Sequence, residues 1–275
     1  MGSAADGMSG NDPQRTHMLT SLQYKLLKRI APSDKSHMTG TAYANASKLQ
    51  ILLGSDLLER MRGKDVLDFG CGYGIQAVEM AQYARSVYGL DILEKSLEKA
   101  REHALAAGVA DRCTFGTAAP SYPIDLIISL DSFEHFGDPG DILRRMYELL
   151  RPGGQVIVSF GPTWFHPFGG HLFSVFPWAH VLFSEKALIR WRSDIRSDGA
   201  QRFGEVEGGL NQMTISRFER LVSRSRFHLV HLETVPIRRL RPVANRLTRE
   251  FTTSIVRCVL ERPPTGDDAI SSESR

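Results

Sequence analysis

One short stretch of the sequence, residues 65–81, constrains the fold more than any other. It reads Asp-Val-Leu-Asp-Phe-Gly-Cys-Gly-Tyr-Gly-Ile-Gln-Ala-Val-Glu-Met-Ala, so an apolar run enters a glycine-dense turn and leaves with helical spacing. Because Gly70, Gly72 and Gly74 lack a Cβ, the backbone can adopt unusual dihedral angles and approach a ligand closely. The following helix offers free N–H groups at its first turn. The stretch therefore predicts a ligand-binding turn between a strand and a helix.

The known nucleotide-phosphate motifs do not fit this turn. The dinucleotide pattern Gly-x-Gly-x-x-Gly needs a glycine at position 75, where the chain has isoleucine. The tripeptide Asp68-Phe69-Gly70 also occurs in protein kinases, but the sequence has neither the His-Arg-Asp catalytic loop of a kinase nor a Gly-x-x-x-x-Gly-Lys phosphate loop. Downstream, residues 86–92 predict a second strand that ends at Asp91, where a doubly wound fold places the acid that binds a ribose. A carboxylate there can accept hydrogen bonds from two ribose hydroxyls.

The Asp-x-Gly-x-Gly-x-Gly turn at 68–74, with the acidic end of the second strand, resembles class I S-adenosylmethionine-dependent methyltransferases. Two further segments are similar to the same family. Residues 122–139 match its fourth strand and the loop after it, and residues 149–159 match a helix end and its fifth strand. The resemblance implies this fold and S-adenosyl-L-methionine as cofactor, and it says little about the methyl acceptor.

The resemblance also assigns contacts with the cofactor. The glycine turn would hold the methionine portion, Asp91 the ribose, residues 116–118 the adenine, and Leu130 with Asp131 would lie near the methionine amine. Cys71 is interpreted as a small residue between glycines and not as a nucleophile. The residues expected to bind the cofactor are Asp68, Gly70, Cys71, Gly72, Gly74, Asp91, Ile92, Thr117, Ala118, Leu130 and Asp131.

The alternation of apolar patterns predicts an α/β fold. We expect a doubly wound, Rossmann-like, seven-stranded sheet with helices on both faces, an antiparallel last strand and an aromatic-rich insertion after the fifth strand. The predicted strands are 65–69, 87–91, 112–116, 124–130 and 154–160, and the predicted helices are 75–84, 94–107 and 139–149. A helix at 214–224 and strands at 227–235 and 251–260 resemble the closing hairpin of the family.

Composition divides the chain further. The predicted segments are a disordered tail (1–16), an N-terminal helical cap (17–61), the cofactor-binding core (62–160), an insertion (161–211), a C-terminal part of the core (212–262) and a second tail (263–275). Nine of the 24 aromatic residues lie from Phe160 to Trp191. We interpret the insertion as a substrate lid, since it follows the fifth strand at the ligand-binding rim. A packed connector, a dimer surface and a membrane contact by residues 172–178 remain alternatives.

Charge and cysteine content limit the partners. A net charge of +3 over 275 residues argues against a nucleic-acid-binding protein. Cys71, Cys113 and Cys258 are too widely spaced to indicate a disulfide framework or a zinc cluster. With no signal-peptide pattern and no membrane-spanning apolar run, a cytoplasmic location is expected, with peripheral membrane contact and a homodimer left open. The cluster of arginines at 238, 239, 241, 246 and 249 is read as a solvated basic loop or as a contact for an anionic substrate.

Histidines are the candidate catalytic groups, because an acceptor hydroxyl needs a base that works near neutral pH. His135, after the fourth strand, is the first candidate, and His171, in the insertion, is the second, ahead of His166 and His180. In a metal alternative, Asp131-x-x-Glu134-His135 is similar to the Glu-x-x-Glu-His ligands of some quinone-ring and RNA-end methyltransferases, and His171 would complete the set. A divalent cation there would acidify acceptor hydroxyls directly.

These observations predict an S-adenosylmethionine-dependent methyltransferase that acts on a small or medium-sized organic acceptor. We expect oxygen, ahead of nitrogen and carbon, as the methylated atom. The aromatic insertion favours an apolar or ring-bearing small-molecule substrate. Two alternatives remain open at this point. Metal-assisted methylation of RNA ends predicts loss of activity on chelation, whereas a non-catalytic cofactor-binding or assembly module predicts cofactor binding without turnover.

Overall fold

A computed structural model describes residues 13–32, 47–53, 56–206 and 208–264 of the 275-residue chain. Most of the two predicted tails therefore lies outside the described residues. The same holds for residues 33–46 and 54–55 of the predicted N-terminal helical cap.

Seven strands form one mixed sheet with the spatial order β3-β2-β1-β4-β5-β7-β6. The strands β1 to β5 are parallel, and β7 is antiparallel to both of its neighbours, β5 and β6. Their bounds are β1 (Asp65–Phe69), β2 (Ser86–Leu90), β3 (Cys113–Gly116), β4 (Ile124–Leu130), β5 (Leu150–Phe160), β6 (His228–Pro236) and β7 (Thr253–Glu261). The predicted doubly wound sheet with an antiparallel last strand is confirmed.

Helices cover both faces of this sheet. One buried apolar cluster joins two helices, residues 139–149 and 215–224, to one face. A second cluster joins the helices between residues 48 and 106 to the other face. The helices are α1 (Pro13–Ile30), α2 (Lys48–Leu53), α3 (Asp56–Arg60), α4 (Ile75–Met80), α5 (Glu94–Ala106), α6 (Pro139–Leu149), α7 (Ala179–Leu182), α8 (Glu185–Ser193), α9 (Ile215–Arg224) and α10 (Arg249–Thr252). Throughout the described part of the chain, no helix is both long and apolar enough to cross a membrane.

Several element boundaries differ from those predicted, and α4, for example, ends at Met80 instead of residue 84. Helix α1 begins at Pro13, inside the predicted tail, because proline has the backbone angle of a first helical turn and needs no hydrogen-bond acceptor there. Strand β5 already begins at Leu150, which pairs with Ile124 across an irregular register. The last strand begins only at Thr253, since the residues before it form α10.

The predicted insertion folds into short elements that share a core with the N-terminal helix. Leu27 of α1 is fully buried against Phe173, Leu188 and Trp191. The indole Nε1 of Trp191 also donates a hydrogen bond to the Ala31 carbonyl oxygen (2.8 Å). The insertion and α1 therefore pack together beside the sheet.

Candidate active site

The glycine turn has the backbone that its sequence predicts. Gly70, Gly72 and Gly74 have φ angles of 84°, 50° and 70°. A Cβ on Gly70 would lie 2.7 Å from Ser132 Oγ, and one on Gly74 would lie 2.6 Å from Ala100 Cβ. A Cβ on Gly72 would meet nothing within 4 Å. Two of these glycines are therefore needed for close packing, and all three for left-handed backbone angles.

Asp91 links this turn to the end of β2. Its Oδ2 accepts a hydrogen bond from the Gly72 N–H (2.9 Å), and its Oδ1 accepts one from the Leu93 N–H (3.0 Å). A carboxylate offers about four acceptor positions. Each oxygen of Asp91 therefore keeps an acceptor position for a ligand hydroxyl while the backbone holds the carboxylate in place.

A cleft of about 720 Å³ opens beside Asp91 at the carboxyl ends of the parallel strands. This size suits a small-molecule ligand. Six of the predicted cofactor residues line it: Gly70, Asp91, Ile92, Thr117, Ala118 and Asp131. Asp68, Cys71 and Leu130 are buried, and Gly72 and Gly74 lie in the turn. The other lining residues are Phe69, Leu90, Leu93, Ala119, Ser132, His135, Phe136, Ile142, Arg144, Arg145, Glu148, Leu149 and Gly208.

Two groups under the turn are shifted towards their neutral forms. Burial raises the pKa of Asp68 to about 7, nearby Lys48 opposes this rise, and Asp91 adds to it. One carboxyl oxygen of Asp68, Oδ2, has no hydrogen-bond partner among the described residues. Burial also raises the pKa of the Cys71 thiol, which agrees with its interpretation as a packing residue.

Substituting Asp68→Asn is expected to reduce the pH dependence of stability in the ligand-free protein. The folded-state pKa of about 7 lies above the ordinary value of 3.8. The stability that neutral Asp68 contributes is therefore fully present below its ordinary pKa of 3.8, and it is lost as pH rises from there through about 7, by up to about 4 kcal/mol. Asparagine cannot ionise. The free energy of unfolding of the variant should therefore rise relative to that of wild type as pH increases over this range.

Urea denaturation at several pH values measures this difference, with the exposed Asp111→Asn as a matched control. A constant difference in unfolding free energy between the Asp68 variant and wild type across the pH range would contradict the assignment.

The loop after β4 carries the first candidate base. His135 Nδ1 lies 2.8 Å from the Gly209 carbonyl oxygen. Because a carbonyl oxygen only accepts, the proton of the neutral ring lies on Nδ1, and in that tautomer Nε2 has the lone pair. His135 also lines the cleft. The structure thus presents a proton acceptor at the ligand-facing wall.

Glu134 and His171 lie next to this histidine. The His171 ring packs edge-on against that of His135, with 5.1 Å between ring centroids. Burial and neighbouring histidines lower the pKa of His171 to about 4, and burial raises the pKa of Glu134 to about 8. Glu134 Oε2 and His171 Nε2 have no hydrogen-bond partner within the described ranges.

Three side chains could together hold a metal ion, because one ligand atom from each lies within 4.8 Å of the other two. They are Glu134, His135 and His171. Asp131, the fourth residue of the predicted set, is not part of the cluster. Its Oδ2 instead forms an ion pair with Lys48 Nζ at 2.8 Å.

The other two histidines of the insertion make local hydrogen bonds. His166 Nδ1 accepts from the Phe168 N–H (2.9 Å). His180 Nε2 donates to the Trp164 carbonyl oxygen (2.6 Å), and its Nδ1 lies 3.0 Å from Ser174 Oγ. Neither histidine lines the cleft.

Two residues that position the site were not predicted. Asn211 Nδ2 donates hydrogen bonds to the carbonyl oxygens of Phe133 and Phe136 (both 2.8 Å). The backbone N–H of Asn211 donates to the Glu134 carbonyl oxygen (2.9 Å). Asn211 therefore fixes the loop that carries His135. The second is Lys48, through its ion pair in the cleft wall. The Gly208-Gly209 pair before Asn211 is a turn signal, whereas nothing in the sequence distinguishes Lys48.

The fold and the site define a class I S-adenosylmethionine-dependent methyltransferase. Residues 25–231 match a family model described as a methyltransferase domain, and the chain belongs to that family. The predicted family, fold and enzyme class are confirmed, and S-adenosyl-L-methionine is the cofactor of this class.

The sequence similarity to individual curated proteins extends over about a third of the chain. The ubiquinone biosynthesis O-methyltransferase of Pseudomonas aeruginosa is 41% identical over 104 residues, 36% of this chain and 45% of that protein. That of Proteus mirabilis is 39% identical over 102 residues, 35% of this chain and 42% of that protein. The chain thus spans less than half the length of these curated relatives.

The cyclase SpnF has a similar solved structure, with a TM-score of 0.51 over 76% of this chain and 80% of that one. At 16% identity this likeness shows the fold alone. Since SpnF is named a cyclase, the fold by itself does not determine the reaction.

Proposed function

We propose that the protein transfers the methyl group of S-adenosylmethionine to a hydroxyl oxygen of a small or medium-sized organic acceptor. The observation that carries this proposal is the pairing, in one cleft, of a backbone-held Asp91 with a His135 whose Nε2 is free to accept a proton. Family membership supports the cofactor, and the names of the curated relatives support oxygen as the methylated atom.

In this proposal, some residues of the cleft bind the cofactor and another transfers a proton. Asp91 would accept hydrogen bonds from the ribose hydroxyls, and Thr117 and Ala118 would hold the adenine. Asp131, oriented by Lys48, lies near the methionine amine. The bound cofactor supplies a methyl group on a positively charged sulfur, so the protein mainly has to hold the acceptor oxygen in line and exclude water.

His135 acts as the general base in this proposal. Its Nε2 would take the proton of the acceptor hydroxyl, while the bound cofactor would supply the methyl group and keep the sulfur electron pair as the neutral thioether. The Gly209 carbonyl oxygen, which accepts from Nδ1–H, stabilises the positive charge that the ring gains. His171 packs against the ring and holds its orientation.

The cleft wall supports an apolar or ring-bearing acceptor. Phe69 and Phe136 line it and pack edge-on, with 5.7 Å between ring centroids. Ile142 and Leu149 of α6 add aliphatic surface to the same wall. Such a surface gains free energy when it covers an apolar ring.

A metal-assisted version of the same transfer is the second candidate. It is favoured by the cluster of Glu134, His135 and His171. Two buried atoms of these residues, Glu134 Oε2 and His171 Nε2, have no hydrogen-bond partner among the described residues. A divalent cation bound there would lower the pKa of the acceptor hydroxyl, and His135 would be a ligand instead of the base.

One experiment tests both candidates. The protein is incubated with methyl-labelled S-adenosylmethionine and a panel of phenols and catechols, with and without a chelator, and methyl ethers are detected by mass spectrometry. We expect an O-methylated product that forms equally with the chelator present. Loss of product with the chelator, restored by Mg²⁺ or Zn²⁺, would favour the metal-assisted reaction. Cofactor binding without any product would contradict both and favour a non-catalytic module.

A further inference from the structure

The connection between β6 and β7, residues 237–252, concentrates positive charge. It contains five arginines, and its first acidic residue is Glu250. Arg238, Arg239, Arg241 and Arg246 are exposed. In contrast to Arg249, which pairs with Glu219, none of these four forms an ion pair with a described acidic side chain. We call residues 237–252 the basic connection.

Exposed aliphatic side chains lie among these arginines. Val243 is 56% exposed and Leu247 is 92% exposed. The first ends a short 3-10 turn, Arg238–Val243, and the second lies next to Arg246. An aliphatic side chain held almost wholly in water beside unpaired cations is typical of a surface that enters the headgroup region of a membrane.

The basic connection also walls a small cavity of about 340 Å³. Arg246 and Arg249 contribute to its lining, with the remainder coming mainly from threonines and Asn245. Because Glu219 holds the guanidinium of Arg249 (2.7 and 2.5 Å), Arg246 supplies the uncompensated charge. The cavity is large enough for a phosphate headgroup.

The position of the basic connection relates it to the cleft. Strand β6 runs antiparallel to β7 and therefore in the same direction as β1 to β5. The carboxyl end of β6, at Pro236, therefore lies on the same side of the sheet as the carboxyl ends of the parallel strands, where the cleft opens. The ring of Phe251 packs on that of Phe165, with 5.2 Å between centroids, and so joins the connection to the insertion.

We propose that the basic connection docks the protein on an anionic lipid surface. The four exposed arginines contact lipid phosphates, while Val243 and Leu247 enter the interface. A nucleic acid fits less well, because single strands are usually bound by stacking on free aromatic rings. The aromatic residue of this segment, Phe251, already packs against Phe165. The docking does not depend on the methyl transfer proposed above.

Vesicle sedimentation of the full chain tests this docking. We expect binding to equimolar phosphatidylcholine and phosphatidylglycerol, little binding to phosphatidylcholine alone, and release by added salt. Since one arginine near an anionic surface contributes roughly fivefold to binding, replacing all four exposed arginines by glutamine should lower the partition coefficient by about two to three orders of magnitude. The double variant V243S and L247S should lower it by about tenfold without changing charge.

A matched control removes the same charge elsewhere. The quadruple variant K99Q, R112Q, R220Q and R224Q changes exposed cations outside the basic connection and should bind like wild type. Circular dichroism and cofactor affinity confirm that each variant is folded, so failure of docking is distinguishable from failure of the methyltransferase.

Several outcomes would overturn the docking: equal losses in both quadruple variants, equal binding to neutral vesicles, or no vesicle binding at all. Displacement by inorganic phosphate at matched ionic strength would instead assign the arginines to a free anion. Binding of an RNA oligonucleotide through the same arginines, without vesicle binding, would assign them to nucleic acid.

Discussion

Substituting His135→Asn is expected to lower kcat for methyl transfer by about two to four orders of magnitude, the usual range for loss of a general base. The variant is chosen because an asparagine amide can still donate to the Gly209 carbonyl oxygen that accepts from His135 Nδ1. It therefore removes the proton acceptor while it keeps the contact between the two loops. Initial rates at saturating cofactor measure the effect, and cofactor affinity should change little.

The interpretation needs a control and a rescue. His231→Asn alters an exposed histidine on β6 and should leave the rate unchanged. In His135→Ala, added imidazole should restore part of the lost activity if the missing group is a base. A wild-type rate for His135→Asn would show that another group, or no base, takes the proton.

The geometry of the glycine turn and the position of Asp91 could be predicted from the sequence because their signals are local. Within residues 65–91, a buried strand is followed by alternating glycines, a helix and a second strand that ends before an acid. Steric rules for glycine and the placement of ligands at strand ends act over these few residues. The structure accordingly shows the turn with positive φ angles and Asp91 bonded to it.

The acceptor end depends on contacts between distant segments. Asn211 bonds to Phe133 across 78 residues, and His171 reaches His135 only because the insertion folds back over the loop after β4. The insertion has little hydrophobic periodicity, so its sequence does not specify that path. Similarly, the arginines of residues 237–252 could be read as a solvated loop until strand direction placed them at the edge where the cleft opens.

Substituting Asp91→Ala is expected to weaken S-adenosylmethionine binding by one to two orders of magnitude, or about 1.4 to 2.8 kcal/mol. The substitution removes the carboxylate and, with it, the proposed hydrogen bonds from the ribose hydroxyls, which are stronger than neutral ones because the acceptor is charged. The Gly72 and Leu93 N–H groups would also lose their hydrogen-bond acceptor. Calorimetric titration with the cofactor measures the change.

A graded series separates these two contributions. Asp91→Asn keeps one side-chain oxygen as acceptor but removes the charge, so its affinity should fall between those of wild type and Asp91→Ala. The exposed Asp111→Asn, outside the cleft, should bind like wild type. If Asp91→Ala unfolds at the wild-type temperature and binds the cofactor equally well, the ribose does not bind at the end of β2. The proposed cofactor orientation in the cleft would then fail, because Asp91 is the residue to which the ribose is assigned.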